Sequence, residues 1–195
     1  MWYVIQVASG QEQKARDLIE KAARGVRDAA GKPVVKECFV PRYLVEQKFK
    51  GAYRTVERVL FPGYVIAITG NVGALNSELA KVPAFTRLLG GGESFVPLDR
   101  SEMALIDTLT SDKRRVVEVS RAVAEGDSVK VVDGPLLGCE GWIRKVNRRK
   151  GTCLVETEMF GRVLKIEVGL VVVSKGCARF DRWKVTRSIE QRREG

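Results

Sequence analysis

Short runs of alternating apolar and polar residues fill the last third of the chain, between residues 125 and 174. There are five such runs, each rich in β-branched side chains and bounded by turn-forming residues. They cover residues 127–132, 140–146, 152–159, 162–168 and 170–174, and the turns fall at 133–135, 150–151, 160–161 and Gly169. Because strands this short bury a core only by closing on one another, the pattern predicts a small five-stranded β-barrel.

The first 110 residues combine strand and helix patterns. Apolar residues recur at helical spacing at Ala15, Leu18, Ile19 and Ala22. Ser9 is predicted to cap this helix, with Glu12 in position for a capping box. Strands are predicted at 2–8, 34–48, 54–60 and 64–69, further helices at 71–81 and 99–109, and a flexible turn at 90–92. This order predicts the fold class α+β, with helices covering a mostly antiparallel sheet.

The patterns divide the chain into two domains and a tail. The first domain is predicted at 1–110, a charged linker at 111–122, the barrel at 123–176 and a basic tail at 177–195. Residues 116–119 suit a short edge strand before the linker proper. Two alternatives stay open for the tail: either Phe180 and Trp183 anchor a helical turn on the barrel, or the segment is disordered.

The charge of the chain favours a polyanionic partner. Its 34 Lys and Arg residues exceed its 24 Asp and Glu residues, and the net charge is +10 without any histidine. A cationic strip without any acid lies on the hairpin between the second and third barrel runs and consists of Arg144, Lys145, Arg148, Arg149 and Lys150. Strand alternation predicts that Arg144 and Lys145 point to opposite faces, so the residues at the tip are the better candidates for binding RNA. The alternative is that the strip is only a solvated face.

The residues give no support for catalysis, a cofactor or a bound metal. There is no histidine, phosphate-binding loop or GxSxG motif. The four cysteines, Cys38, Cys139, Cys153 and Cys177, form no CxxC pair and are predicted to be reduced thiols, with Cys139 near Cys153. The N-terminus has the pattern of a strand rather than a signal peptide, and no apolar run approaches the ~20 residues of a membrane span. We therefore expect a cytoplasmic, monomeric protein that is not an enzyme.

Two sets of short sequence motifs resemble the two domains of NusG-type transcription factors. Residues 125–127, 131–135, Gly141 and 160–162 resemble the KOW domain that ends these proteins. Residues 2–6, 9–10, 61–65, 81–83 and 89–91 resemble their N-terminal NGN domain. The resemblance covers about residues 2–174, and the two signatures occur in the family's order.

The resemblance implies a partner for the first domain. NGN domains bind the tip of the clamp helices of RNA polymerase through an apolar, aromatic-lined concavity. Phe61 and Tyr64 match that surface, and Trp2 and Tyr3 belong to it more loosely. We expect Pro62 to break the strand ladder and tip the Phe61 ring outward. The alternative is that all four aromatics belong to the core.

The resemblance offers two roles for the barrel. In the general factor, the loop that matches Phe160 and Arg162 contacts a termination factor or a ribosomal protein. The cationic hairpin at 142–150, together with the segments 140–146 and 158–162, instead resembles the LoaP subgroup. Members of that subgroup are antiterminators that recognise an RNA hairpin in an operon leader. The predicted function is therefore specialised processive antitermination, and the alternative is the housekeeping NusG role. A ribosomal KOW protein is disfavoured by the first domain.

Overall fold

The computed structural model describes residues 1–82, 87–88, 90–91, 94–111, 114–126 and 128–173. Within these residues the chain forms three helices and fifteen strands, several of them only two residues long. The elements of the first domain are β1 Trp2–Gln6, α1 Glu12–Ala23, β2 Glu37–Phe39, β3 Arg42–Phe49, β4 Ala52–Val59, β5 Tyr64–Ile68, α2 Val72–Leu79, β6 Arg87–Leu88, β7 Gly90–Gly91, β8 Ser94–Phe95, α3 Arg100–Leu109, β9 Thr110–Ser111 and β10 Val116–Val117. Those of the barrel are β11 Ser120–Glu125, β12 Ser128–Asp133, β13 Ile143–Asn147, β14 Thr152–Met159 and β15 Arg162–Val173. The predicted α+β class is confirmed.

The central sheet of the first domain has the strand order β2-β5-β1-β6 and is antiparallel throughout. One face carries Ile5 and Val65, which pack with Ile19 of α1 and Leu75 of α2. The opposite face joins a second core that also takes in side chains of α3 and the barrel. Among the described residues, the first face therefore packs against α1 and α2, and only the second face meets the barrel.

The predicted starts of α1 and α3 have different outcomes. Asp99 caps α3 through a complete capping box with Glu102, which agrees with the predicted start of that helix. The predicted Ser9 cap of α1 is wrong, because Gln11 occupies the N-cap position and makes no side-chain bond there. Glu12 instead accepts hydrogen bonds at Oε1 from the amides of Gly10 (2.9 Å) and Gly63 (2.7 Å). The carboxylate therefore bonds both the chain just before its own helix, at Gly10, and the buried loop at Gly63.

The long strand predicted at 34–48 is divided into β2 and β3. Pro41 lies in the break, where a residue without an N–H ends one ladder and lets the chain cross to another sheet. The second sheet has the order β4-β3-β10-β9, and β3 pairs with β4 over its whole length. On its other edge β3 pairs with β10 only at Arg42 and Tyr43. The rest of that edge is left for the barrel.

The barrel has five strands, as predicted, but they are not the five predicted runs. Their order in the sheet is β12-β11-β15-β14-β13. Strand β11 begins at Ser120, within the segment assigned to the linker, and pairs in parallel with the end of β15. The last two predicted runs form the single strand β15, so Gly169 is not a turn. A Cβ atom on Gly169 would lie 2.1 Å from the carbonyl oxygen of Leu44 in β3. The glycine is needed for the close approach of two domains.

The segment between the domains is short and structured where it is described. Val116 and Val117 form β10, which agrees with the predicted short strand, but β10 lies between β3 and β9 rather than at the edge of the sheet. Strand β11 begins at Ser120. Cys38, Cys139 and Cys153 are free thiols, and burial raises the pKa of Cys38 and Cys153 to about 12. Cys177, Phe180, Trp183 and the rest of the tail lie outside the described residues.

Candidate functional site

The structure brings Phe61 and Tyr64 together but does not expose them. Phe61 is 2% exposed and Tyr64 9% exposed, so the expected outward tilt of the Phe61 ring is wrong. The ring of Phe160, from the turn between β14 and β15, packs on both. Its centroid lies 5.3 Å from that of Phe61 in an edge-on arrangement and 5.2 Å from that of Tyr64. A barrel side chain therefore covers the two aromatics that the family resemblance assigns to polymerase binding.

Polar contacts hold the Phe160 turn in this position. The Phe160 amide donates a hydrogen bond of 2.5 Å to Glu102 Oε1, while the other oxygen of Glu102 completes the α3 capping box. The Arg162 guanidinium donates to the Tyr64 hydroxyl and lies 5.5 Å from the centre of its ring. Phe160 and Arg162, the alternative protein-binding residues, are thus engaged within the chain.

Trp2 and Tyr3 lie on opposite faces of the central sheet. Tyr3 is buried in the core beneath α1 and α2, on the face away from Tyr64, because adjacent residues of a strand point to opposite sides. Trp2 shares the face of Tyr64, but its ring packs edge-on against Phe39 at 5.5 Å. The Arg115 guanidinium covers it at 4.9 Å. Neither ring joins the pair formed by Phe61 and Tyr64.

The Glu12 carboxylate fixes the loop that carries Phe61 and Tyr64. Burial raises the pKa of Glu12, but hydrogen bonds from the amides of Gly63, Gly10 and Glu12 itself outweigh it, so the pKa lies below its ordinary value. Gly63 has a φ of +84°, and a Cβ atom there would lie 3.1 Å from Ser9 Oγ. The loop is therefore held by an ionised, buried side chain and a glycine-only conformation.

All five residues of the cationic strip are exposed, but the strand does not alternate as predicted. A bulge between Ile143 and Lys145 resets the register, so that Ile143 and Val146 both pack toward the core. Arg144 and Lys145 are consequently both exposed, and the predicted buried face for one of them is wrong. Arg144 makes a 3.4 Å ion pair with Glu156 and donates to the Gly141 carbonyl at 3.2 Å. Arg144 is therefore partly engaged at the base of the hairpin.

The tip of this hairpin carries the less restrained cations. The side chain of Asn147 accepts a hydrogen bond of 3.0 Å from the Lys150 amide and shapes the turn. Arg148, Arg149 and Lys150 are exposed, and no ion pair between described residues engages them. Gly151 follows with a φ of +66° and leaves room for the Glu46 carbonyl, which would lie 2.9 Å from a Cβ atom. The backbone just after the tip therefore lies close against β3.

An ion pair between the domains has no counterpart among the sequence predictions. Arg121 of β11 is buried and donates to Glu46 of β3 at 3.0 Å. Nothing in the local pattern marks either residue as part of an interface. Gly169 is the available signal, because a glycine within an apolar run of β-branched residues indicates close backbone approach as readily as a turn.

The comparisons with known proteins identify the family of this chain. The family model described as "Transcription termination factor nusG" matches residues 1–107. The termination/antitermination protein NusG of Lactococcus lactis is 30% identical over 171 residues, covering 87% of this chain and 89% of the relative. This chain belongs to the NusG family. The NusG of Thermus thermophilus is 29% identical, covering 89% and 97% of the two chains, and that of Chlamydia trachomatis is 28% identical, covering 85% and 89%.

These matches confirm the predicted family, and the names of the relatives describe termination and antitermination together. A solved structure of Thermotoga maritima NusG is also similar, with a TM-score of 0.49 and 22% identity over 87% of this chain and 92% of that one. In the described part of this NusG-family chain, no group of three or more Cys, Asp or Glu residues is arranged to hold a metal ion. No described helix is long and apolar enough to cross a membrane.

Proposed function

We propose that this chain is a specialised antitermination factor that binds structured leader RNA through its barrel and RNA polymerase through its first domain. The RNA-binding residues are Arg144, Lys145, Arg148, Arg149 and Lys150, and the polymerase-binding residues are Phe61 and Tyr64. The observation that carries the proposal is the contrast between the two barrel surfaces. The cations of the hairpin are exposed, whereas the Phe160 turn, which would bind a protein partner, is engaged within the chain. The factor acts as a cytoplasmic monomer and needs no cofactor.

The chemistry of the hairpin suits RNA. No acid occurs between residues 141 and 155, and Arg148, Arg149 and Lys150 make no ion pair with a described residue, whereas Arg144 is shared with Glu156. Guanidinium groups form paired hydrogen bonds with phosphate and guanine edges, and RNA hairpin loops present both. Binding of this kind releases counterions, which makes the affinity fall as the salt concentration rises.

Polymerase binding through Phe61 and Tyr64 requires that the barrel move away. In the packed arrangement the Phe160 ring and the Arg162 guanidinium occupy their accessible side. An aromatic anchor binds a partner only when its ring becomes available at the interface. Trp2 supports this surface from the same sheet face, and the burial of Tyr3 beneath the helices gives it a core role.

The second candidate is the housekeeping NusG role. In that case, Phe160 and Arg162 bind a termination factor or a ribosomal protein once the domains have separated. The general names of the similar proteins favour this alternative. The two candidates differ in the ligand of the barrel, so an RNA-binding measurement separates them.

The test compares two charge-matched triple variants of the full chain. The first replaces Arg148, Arg149 and Lys150 with Ala. The control replaces Lys14, Lys21 and Arg24 with Ala, three exposed cations on or just after α1. The probe is the leader transcript of the operon that carries the gene, and its affinity is measured over a range of salt concentrations.

The hairpin variant should bind more weakly and with a shallower salt dependence. The slope should decrease by about 0.7–0.9 log units per log unit of salt for each phosphate that the variant no longer neutralises. The control should resemble the wild type. If both variants behave alike, the strip is only a solvated face, and the housekeeping role becomes the better assignment.

A further inference from the structure

The hairpin of β3 and β4 projects a second cationic surface from the first domain. Its tip consists of Lys48, Phe49, Lys50, Tyr53 and Arg54. No acid occurs between residues 47 and 56, and all five side chains are exposed, Phe49 by 53% and Tyr53 by 51%. Large exposed rings among cations are not explained by packing, because a side chain of this size normally gains stability by burial.

The geometry of the tip is well defined. Lys50 and Gly51 form the turn, with φ values of +46° and +84°. The register places Lys48 opposite Tyr53 and Phe49 opposite Ala52. The Arg54 guanidinium lies 5.3 Å and the Lys50 ammonium 5.6 Å from the centre of the Phe49 ring. The cations and rings are therefore held close together.

This tip lies beside the cationic tip of the barrel. The carbonyl of Glu46 in β3 passes Gly151, which directly follows Lys150. Lys48 comes two residues later in β3, so it lies about 7 Å further along the strand and on the same sheet face as the Glu46 side chain. Glu46 itself is ion-paired with Arg121. The acid at the junction is thus engaged, and the two cationic tips are neighbours.

We propose that the β3–β4 tip is a second nucleic-acid-binding element, which holds the phosphate backbone of an RNA through Lys48, Lys50 and Arg54. The rings of Phe49 and Tyr53 provide surfaces on which unpaired bases stack. This assignment rests on the proposed RNA binding of the barrel and extends it onto the first domain. Cationic grooves with interleaved aromatic rings are the usual means of binding single-stranded and looped nucleic acid.

An acidic protein segment is the other partner that such charge would attract. The rings favour RNA, because every base has a flat face that stacks on an aromatic side chain, whereas a carboxylate gains nothing from one. In the packed protein the tip continues the barrel surface. The same cations remain on the first domain after the barrel has moved.

The test uses the full chain with Lys48→Ala, Lys50→Asn and Arg54→Ala combined. Asn is chosen at position 50 because it tolerates the left-handed conformation, and Asn-Gly is a preferred hairpin turn. The control is again the triple variant of Lys14, Lys21 and Arg24, which removes the same charge. The probe is a synthetic RNA stem-loop, and its affinity is followed by fluorescence anisotropy at several salt concentrations.

The tip variant should bind about tenfold more weakly than the control near physiological salt. Its salt slope should be shallower by about 2, as expected when about three phosphates are no longer neutralised. The Arg148, Arg149 and Lys150 triple variant, here the barrel variant, is measured beside it. If the tip variant matches the control while the barrel variant binds more weakly, the tip is not an RNA-binding element and only this inference fails. If the barrel variant also matches the control, the proposed function fails as well.

A measurement on the unaltered chain removes any dependence on how the variants fold. RNA carrying 4-thiouridine in its loop is crosslinked to the wild-type protein by light, and the attached peptides are identified by mass spectrometry. A crosslink within residues 47–58 is expected. Crosslinks confined to the barrel would overturn the inference, and an acidic peptide that competes away the tip crosslink would assign the surface to a protein.

Discussion

At the residue scale, Glu12 links two short sequence motifs about fifty residues apart, one at Gly10 and one at Gly63. Its Oε1 atom accepts hydrogen bonds from the amides of Gly10 and Gly63, and thereby fixes the loop before Tyr64. Burial alone would favour the protonated acid, but three backbone hydrogen bonds lower the pKa of Glu12 and keep the carboxylate ionised. A side chain that resembles a helix cap in the sequence therefore positions the candidate polymerase-binding surface.

We predict that Glu12→Ala destabilises the protein by about 2 kcal/mol, because the buried Gly63 amide is left without its acceptor. Glu12→Gln should cost less, since its amide oxygen can still accept both bonds. The pKa of Glu12 is lowered in the folded state, so its ionic contribution is present above the ordinary pKa of 4.5 and disappears as the pH falls through the folded value. Urea unfolding from pH 7 to pH 3 measures both effects. A wild-type-to-Gln difference that does not shrink in acid would contradict this role.

Gly169 makes a second prediction at this scale. A methyl group there would meet the Leu44 carbonyl at 2.1 Å, so Gly169→Ala should destabilise the packed protein by about 1–3 kcal/mol. Gly141→Ala is the matched control, because no atom of the described residues lies within 4 Å of a Cβ atom added there. Hydrogen exchange of the β3 amides, together with a thermal melt, should show reduced protection only in the first variant. Equal behaviour of the two variants would mean that the domains are not packed as described.

At the element scale, the sequence predicts the strands and helices whose pattern depends on local packing. The α1 stripe, the α3 cap and β14 follow from spacing and from end residues within a few positions. The errors occur where a distant strand decides the outcome. Gly169 has the pattern of a turn because the β3 carbonyl that requires a glycine there lies more than a hundred residues away in the sequence. The bulge at Arg144 likewise depends on the partner strand β14.

The residues of the candidate site also differ in how well the sequence predicts their exposure. The exposure of the cationic tip is predictable, since a run of cations has little to gain from a core. The burial of Phe61 is not, because its cover is supplied by Phe160 from another domain. Trp2 and Tyr3 belong to one sequence motif, but strand alternation places their side chains on opposite faces of the sheet. Packing between domains leaves almost no local pattern, and this is where the sequence is least informative.

The Phe160 turn yields a prediction about access. Phe160→Asn should remove the ring that covers Phe61 and Tyr64, while Asn tolerates the φ of +57° at this position. We expect tighter binding to purified RNA polymerase, because the barrel no longer competes for the two rings. Leu137→Asn, at an exposed apolar residue of the barrel, serves as the control. Unchanged affinity of the Phe160 variant in surface plasmon resonance would mean that the cover does not limit docking.

At the scale of the whole molecule, each domain has its own strand set, so each should fold alone. Strand β11 of the barrel begins at Ser120 and contains Arg121. A division after Glu118 therefore leaves the strands of both domains whole. We predict two soluble fragments, residues 1–118 and 119–195, the second with a β-rich circular dichroism spectrum. A strongly helical spectrum for the second fragment would contradict the barrel as an autonomous fold.

The central claim is that one domain brings the factor to its RNA while the other acts on the polymerase. A purified transcription assay tests it directly, with templates that carry a terminator downstream of the operon leader or of an unrelated leader. We predict that the wild-type chain increases readthrough only on the operon template. Both the Arg148, Arg149 and Lys150 triple variant and Phe61→Ala should abolish this effect while remaining folded in a thermal melt. Readthrough that is equal on the two templates, or that survives removal of the three cations, would contradict the account and indicate a general elongation factor.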